Sequence, residues 1–559
     1  MPTLDKFLNI KNNENKKTKM KERKKKSSKS NKTSEQLVSH DHFELTPEFE
    51  NQLWKVADKL RKKMEVHQYK YVVLGLIFLR ALTCRFYERR KEIEDELSNP
   101  NSELYTEDPE LRKMILEDKD FYLSEGVLYL PKETRWDYFV ENVMSPNIGE
   151  IIDTAIEILE EKYPDRLKNV IPKIYAQSPL DNHDYAYLIN KFSEISFGKE
   201  YKVKDVFGRI YEYFLGKFTE VEGKLGGKFY TPRSLTKLIV DVLDIKGGTI
   251  FDPACGSGGF FVSALEKLEG EGIDINELSI YGQDSDPMAY RLTKMNLIIR
   301  GAEGDIRIGD SYHDDKFMNM VFDYVVANPP FNDSEWDSNR IKPDDPRLRI
   351  GNKKVPVPPN NNANYMWILH FIYHTKSNGK AGFVMANGAL SAGNVEGEIR
   401  KAIIENDLVY GIVACPPKLF YNVSLPVSLW FIRKEKPDYM KGKVLFINAK
   451  NLYKQISRRQ NILTEEHINK IVDKFKMLES GENEEKINEL GFAKVATIDE
   501  IAKNGYVLTP GRYVGVKIED DGIPFEVKMK EYSEELRGLL DEEEKLREKV
   551  KEVLDALGF

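Results

Sequence analysis

Cysteine is scarce in this chain. Cys84, Cys255 and Cys415 are the only three in 559 residues, and they lie far apart. That excludes a disulfide framework, leaves no metal-ligand spacing, and fits a reducing, cytoplasmic setting. Long apolar runs are missing as well. The longest, Tyr71 to Leu79, is too short to cross a bilayer, and the N-terminus has no apolar core of a signal sequence, so no membrane role is expected. Excess positive charge is also lacking: the formal net charge is −7. Nucleic-acid binding by bulk charge is therefore excluded, and any such contact must use local patches.

Two stretches carry chemistry. In the first, Gly248 to Phe251 is short and apolar enough for a buried strand. Asp252 and Pro253 follow, then Gly256-Ser257-Gly258-Gly259, then an apolar helical pattern from Phe260 to Leu268. A strand running through glycines into a helix is the layout of nucleotide-cofactor sites in doubly wound sheets. The spacing is not the dinucleotide fingerprint, and the absence of Lys-Ser/Thr after the glycines excludes a P-loop. In the second stretch, Met320 to Ala327 reads as another buried strand and ends in Asn328-Pro329-Pro330-Phe331. The prolines remove backbone donors and stiffen the turn. An amide oxygen, bare carbonyls and an aromatic ring then suit a flat group bearing an amine.

Together these motifs resemble the amino-methyltransferases that use S-adenosylmethionine. More closely, the chain resembles the methylation (M) subunits of type I restriction-modification systems, which modify adenine N6 in DNA. The likeness runs from about Phe43 to the C-terminus. It includes LWKVADKLRKKM and YKYVVLGLIFLRAL in the N-terminal third, KLGGKFYTPR at Lys224 to Arg233, and LTPGRYV at Leu508 to Val514. The implied fold class is α/β: a Rossmann-like methyltransferase domain, preceded by an all-helical N-terminal domain and followed by a coiled-coil-like helix. The expected boundaries are a disordered basic tail over 1–40, helices over 41–200, the methyltransferase domain over 201–455, and a helical region for subunit contact over 456–559, with the sheet ending near Asn448.

The resemblance assigns S-adenosylmethionine to Lys228, Phe229, Tyr230, Thr231, Pro232 and Arg233, to Asp252, Gly256, Ser257, Gly258 and Gly259, and to Asp284 and Asp310. Thr231 is placed to cap the next helix with Pro232 at its first position. Asp284, ending the second strand, suits the ribose hydroxyls, and Asp310 the adenine amine. Asp286 reads as a helix cap. The long polar loop from Phe331 to Asn364 offers Trp336, Arg340, Arg347, Arg349, Lys353 and Lys354 to DNA. Phe420 and Tyr421 fall where the family has a second aromatic wall. A three- and four-residue apolar stripe from Tyr532 to Leu557 suits a partner helix.

The expected catalytic set is Asn328, Pro329 and Phe331, with no metal. Asn328 and the Pro329 carbonyl accept the two amine hydrogens, and Phe331 stacks on a base flipped out of the duplex. No second reading module is visible, so the expected partners are double-stranded DNA, a separate specificity (S) subunit, a second M subunit and, in restricting complexes, a restriction (R) subunit. Two alternatives stay open at this point: methylation of protein glutamine or RNA amines, and a non-catalytic DNA-binding scaffold.

Overall fold

Thr46 accepts a hydrogen bond from the Phe49 N–H and Pro47 opens the helix behind it, so α1 (Pro47–Asp58) starts where capping rules place it. This is a computed structural model, and it describes residues 46–195, 201–222, 231–420, 425–516 and 524–556. The tail expected over 1–40 lies outside the described residues, as do Lys228, Phe229, Tyr230 and Tyr421. Helix α2 (Val66–Ser98) is buried on nearly every side between Val72 and Phe86, as an all-round apolar sequence requires. Helices α3 (Ile148–Lys162) and α4 (Asn182–Ser193) pack into the same core, and α4 opens with a capping box between Asp181 and Asp184.

The helical region continues past the expected boundary at 200. Helix α5 (Val203–Glu222) buries Val206, Phe207, Ile210, Phe214 and Phe218 in the core of α2, not against the sheet. Its apolar face could have served either neighbour, and only the three-dimensional pairing decides. Met295, Ile298 and Ile299 from the α/β region that follows join this core, and Arg85 Nη1 donates to the Ile298 carbonyl at 3.1 Å. The two regions are thereby one packed body.

The catalytic domain alternates helix and strand: α6 (Arg233–Leu243), β1 (Gly248–Asp252), α7 (Gly259–Gly270), β2 (Leu278–Asp284), α8 (Pro287–Ile299), β3 (Gly304–Ile308), β4 (Phe322–Ala327), α9 (Asn364–His374), β5 (Thr375–Ala386), α10 (Asn394–Glu405), β6 (Val409–Ala414), β7 (Val427–Arg433), β8 (Lys443–Asn448), α11 (Glu465–Glu479) and β9 (Ala493–Thr497). The strands form one nine-stranded sheet in the order β9-β8-β6-β7-β5-β4-β1-β2-β3. Only β7 and β9 run against the rest. Both faces are covered, so neighbouring residues feed opposite cores: Ile250 and Val326 on one side, Phe251 and Val325 on the other. This is why the strands read as continuous apolar runs.

The sheet does not end near Asn448. Strand β9 pairs antiparallel with β8 from Lys443↔Thr497 to Ile447↔Ala493. Helix α11 buries Ile468, Ile471 and Phe475 in the core of α6 and β6. Residues 456–514 therefore pack with the nine-stranded sheet, and the separate helical region is shorter than the expected 456–559. A second compact unit, Gly515–Phe559, holds α12 (Phe525–Ala556). Its stripe includes Tyr532, Leu536, Leu539, Leu546, Val550 and Val553, all of them more than half exposed in this chain. Among the described residues, no helix is long and apolar enough to cross a membrane.

Candidate active site

Parallel strands put their carboxyl ends at one edge of the sheet, and ligand crevices form there. The two motif turns leave the adjacent strands β1 and β4, which pair Ile250↔Tyr324 and Phe251↔Val325. After β1 the chain must turn sharply into α7, and Gly256 and Gly258 take left-handed φ of 54° and 79°, a conformation that costs other residues about 1–2 kcal/mol. The turn is fastened from several directions. The Gly256 N–H donates to Asp284 Oδ2 at 2.9 Å. Thr293 and Asn296 of α8 donate to the carbonyls of Gly256 and Ser257, each at 2.9 Å. Those two α8 residues escaped the sequence reading. Their signal is a polar pair three apart on an otherwise apolar helix face, which needs partners once buried.

A methyl group added to Gly258 would meet Thr293 Cγ2 at 3.1 Å, whereas one added to Gly256 would meet no atom of the described residues within 4 Å. The Cα of Gly256 thus faces space left open by the described residues, the condition a closely approaching ligand needs. Asp252 is buried beside it, and its Oδ1 accepts from the Ala254 N–H at 3.0 Å. Burial pushes its carboxyl well above the usual carboxylate range; the Ala254 N–H opposes this and the charge of Asp284 adds to it. Asp284 also accepts from the Asp286 N–H at 2.9 Å, while Asp286 caps α8 as expected. Asp310 sits past β3, where it accepts from the Tyr312 N–H at 2.9 Å and pairs with His313 Nδ1 at 2.8 Å.

The second turn reaches back to the segment before α6. Asn328 Nδ2 donates to Thr231 Oγ1 at 2.9 Å. Contrary to the expectation from sequence, Thr231 does not cap α6. The capping position falls to Pro232, and no side chain caps that helix. The Thr231 hydroxyl serves a residue far along the chain instead. Arg233, at the first position of α6, pairs with Glu266 of α7 at 2.7 Å. With its donor committed, the Asn328 amide aims Oδ1 into buried space where it has no hydrogen-bond partner. Such an acceptor costs about 1–3 kcal/mol. Phe331 follows Pro330, and the Phe420 ring stands 6.0 Å from it, edge to face. Phe420, read from the sequence as a second wall, is buried beside Phe331.

The loop after Phe331 has its own small core. Asn332 and Asn364 exchange hydrogen bonds at 2.9 Å, pinning the start of the loop to the first residue of α9. Trp336 is buried and its indole donates to the Pro359 carbonyl. Arg347 is only 2% exposed, with Nη1 and Nη2 donating to the carbonyls of Ser311 and Tyr312 at 2.9 and 2.7 Å. Neither side chain is available to DNA, contrary to the expectation; both are struts that hold the loop to the turn bearing Asp310. Arg340, Arg349, Lys353 and Lys354 remain exposed. Behind the loop, Asp315, His370 and His374 bring ligand-type atoms within 4.8 Å of one another. A cation there would face the Arg347 guanidinium, 3.4 Å from His370 Nδ1, and Asp315 is already closed on His374 Nε2 at 2.8 Å. The cluster is a hydrogen-bonded strut.

Comparison with known proteins agrees with this architecture. The family described as N-6 DNA Methylase matches residues 202–521, and the HsdM N-terminal domain matches 49–192. The chain is 94% identical, over the full length of both, to the type I restriction enzyme MjaIX methylase subunit of Methanocaldococcus jannaschii. It is 38% identical over 74% of its length, and 93% of the relative's, to the HindI methylase subunit of Haemophilus influenzae. A solved methyltransferase subunit of a type I restriction-modification system from Streptococcus thermophilus superposes with a TM-score of 0.67 at 26% identity, covering 83% of this chain and 98% of that one. The chain belongs to the N-6 DNA methylase family, among the methylase subunits of type I restriction enzymes.

Proposed function

We propose that this subunit transfers a methyl group from S-adenosylmethionine to the N6 amine of adenine in duplex DNA, within a complex whose sequence choice comes from a separate specificity subunit. The observation that carries the reading is the Asn328 amide: its nitrogen is tied to Thr231 and its buried oxygen awaits a donor. The exocyclic nitrogen of adenine is a weak nucleophile because its lone pair is conjugated with the ring. Asn328 Oδ1 accepts one amine hydrogen and the Pro329 carbonyl the other, which draws the nitrogen toward tetrahedral geometry. Phe331 and Phe420 flank the extruded base. This is catalysis by position and electrostatics.

The residues present fit the cofactor. Open space at the Cα of Gly256 admits it, Asp284 takes the ribose, and Asp310 the adenine amine. Thr231, Pro232 and Arg233 at the amino end of α6 suit its carboxylate. When bound, it supplies an electrophilic sulfonium methyl. The exposed stripe of α12 is the surface offered to another subunit, and the chain's place in a complex with the specificity subunit, a second copy and a restriction subunit follows the family. Methylation of RNA or protein glutamine is disfavoured by the match to the HsdM N-terminal domain.

The test is digestion to nucleosides and mass spectrometry of duplex DNA incubated with labelled S-adenosylmethionine and the subunit co-purified with its specificity partner. Label in N6-methyladenine is expected. Label only in another base, or in RNA or protein offered in its place, would overturn the reading.

A further inference from the structure

Strand β8 runs parallel to β6 and so delivers the chain to the same carboxyl edge as the catalytic turns. Beyond it the chain folds into a two-stranded hairpin, Lys454–Ser457 with Gln460–Ile462, whose first strand is exposed throughout. Its register shifts between Gln455 and Ser457, a bulge that turns Ile456 outward, 54% exposed. The base of the hairpin is not loose. Asn461 is buried, and its backbone N–H donates to the Lys418 carbonyl at 2.9 Å while its side-chain amide donates to the Pro417 carbonyl at 2.8 Å. Lys418 Nζ donates back to the Arg458 carbonyl at 3.2 Å. Pro417 and Lys418 lie on the turn that carries Phe420, the ring facing Phe331. The hairpin is thus fixed to one wall of the proposed base pocket.

Its charge is as uneven as its position. Residues 448–464 contain Lys450, Lys454, Arg458 and Arg459 and no Asp or Glu, in a chain whose net charge is −7. Among the described residues these four side chains make no ion pair, and all are exposed. An acid-free basic finger beside the place where an extruded base must sit has the chemistry of a phosphate contact. We propose that the Lys454–Ile462 hairpin grips the DNA backbone beside the target adenine, with Lys454, Arg458 and Arg459 taking phosphates. The proposal rests on the DNA-adenine reading above and adds a contact to it.

The experiment uses the subunit assembled with its specificity partner. Duplex affinity is measured across salt concentrations for the wild type, for Arg458→Ala/Arg459→Ala, and for Arg458→Lys/Arg459→Lys. Losing two phosphate contacts should lower the slope of log K against log salt by about 1.8 and weaken binding by about thirtyfold at about 0.15 M salt. Turnover at saturating DNA and cofactor affinity should be unchanged, and the lysine variant should restore the slope. An unchanged slope in the alanine variant overturns the proposal. So does loss of the specificity subunit with wild-type DNA affinity in what remains assembled, which would make the hairpin a protein contact. A wild-type complex that makes no N6-methyladenine overturns the underlying reading, a result distinct from either.

Discussion

Replacing Asn328 with alanine separates catalysis from stability more sharply than any other change in this site. The amide makes one hydrogen bond, Nδ2 to Thr231 Oγ1 at 2.9 Å, and leaves Oδ1 buried without a donor. The bond contributes about 1 kcal/mol net, and the unpaired acceptor costs about 1–3 kcal/mol. Alanine removes both, and Thr231 is exposed enough to take water. The melting temperature should therefore move by no more than about 2 °C, and upward is the favoured direction. On the proposed mechanism the reaction loses one of the two acceptors that hold the amine, and a deletion of this kind costs about 100- to 1,000-fold in kcat, or roughly 3–4 kcal/mol of barrier. Single-turnover methylation of a specific duplex by the assembled complex measures the first quantity, and calorimetry measures the second together with cofactor affinity, which should hold. A variant that melts far lower and loses activity only in proportion would show that Asn328 is a structural clasp. Undiminished turnover would remove it from the mechanism altogether.

The glycine turn gives a paired test. Gly256→Ala and Gly258→Ala both force a side chain into left-handed backbone at about 1–2 kcal/mol. The new methyl of the first meets open space, and that of the second meets Thr293. Gly256→Ala should therefore weaken cofactor binding well beyond its effect on melting temperature, while Gly258→Ala should lower melting more. Equal ratios in the two variants, by calorimetric titration and thermal denaturation, would contradict the assignment of the open space to cofactor. His370 sets a pH dependence. Burial, first, and then His374 and Arg347 hold its imidazole well below the ordinary 6.5. Above 6.5 it is neutral folded and unfolded and contributes nothing. As pH falls below 6.5 only the unfolded chain takes the proton, so the native state loses up to about 1.4 kcal/mol per pH unit until the folded value is reached. The wild type should lose stability on acidification faster than His370→Phe, and parallel denaturation curves over that range would refute this.

The strands were legible because both faces of the sheet are covered. β1 and β4 each read as a short apolar run ended by a turn, and the structure places them within a residue or two of those runs. The Asp286 cap was legible because its partner, the Met288 N–H, is local. What was missed depends on partners distant in sequence. β9 has only Ala493, Val495 and Ala496 buried, and it becomes a strand because β8 offers an open edge. Arg347 looked like a surface cation because a charge run usually is one, and only the fold brings the Ser311 and Tyr312 carbonyls to it.

Thr231 is the most instructive of these cases. A local rule made it a helix cap, and the rule failed because a remote amide claimed the hydroxyl. That claim has a mechanical consequence. Thr231 stands directly before α6, on the segment assigned to the cofactor, and Asn328 stands on the turn assigned to the substrate amine. One hydrogen bond spans the two. That bond decides which end of the amide, oxygen or nitrogen, faces away from Thr231. On the proposed reading, the hydrogen bond to Thr231 is what turns the Asn328 oxygen toward the amine, so Thr231→Val should lower turnover while Thr231→Ser keeps it, and equal turnover in the two would refute this.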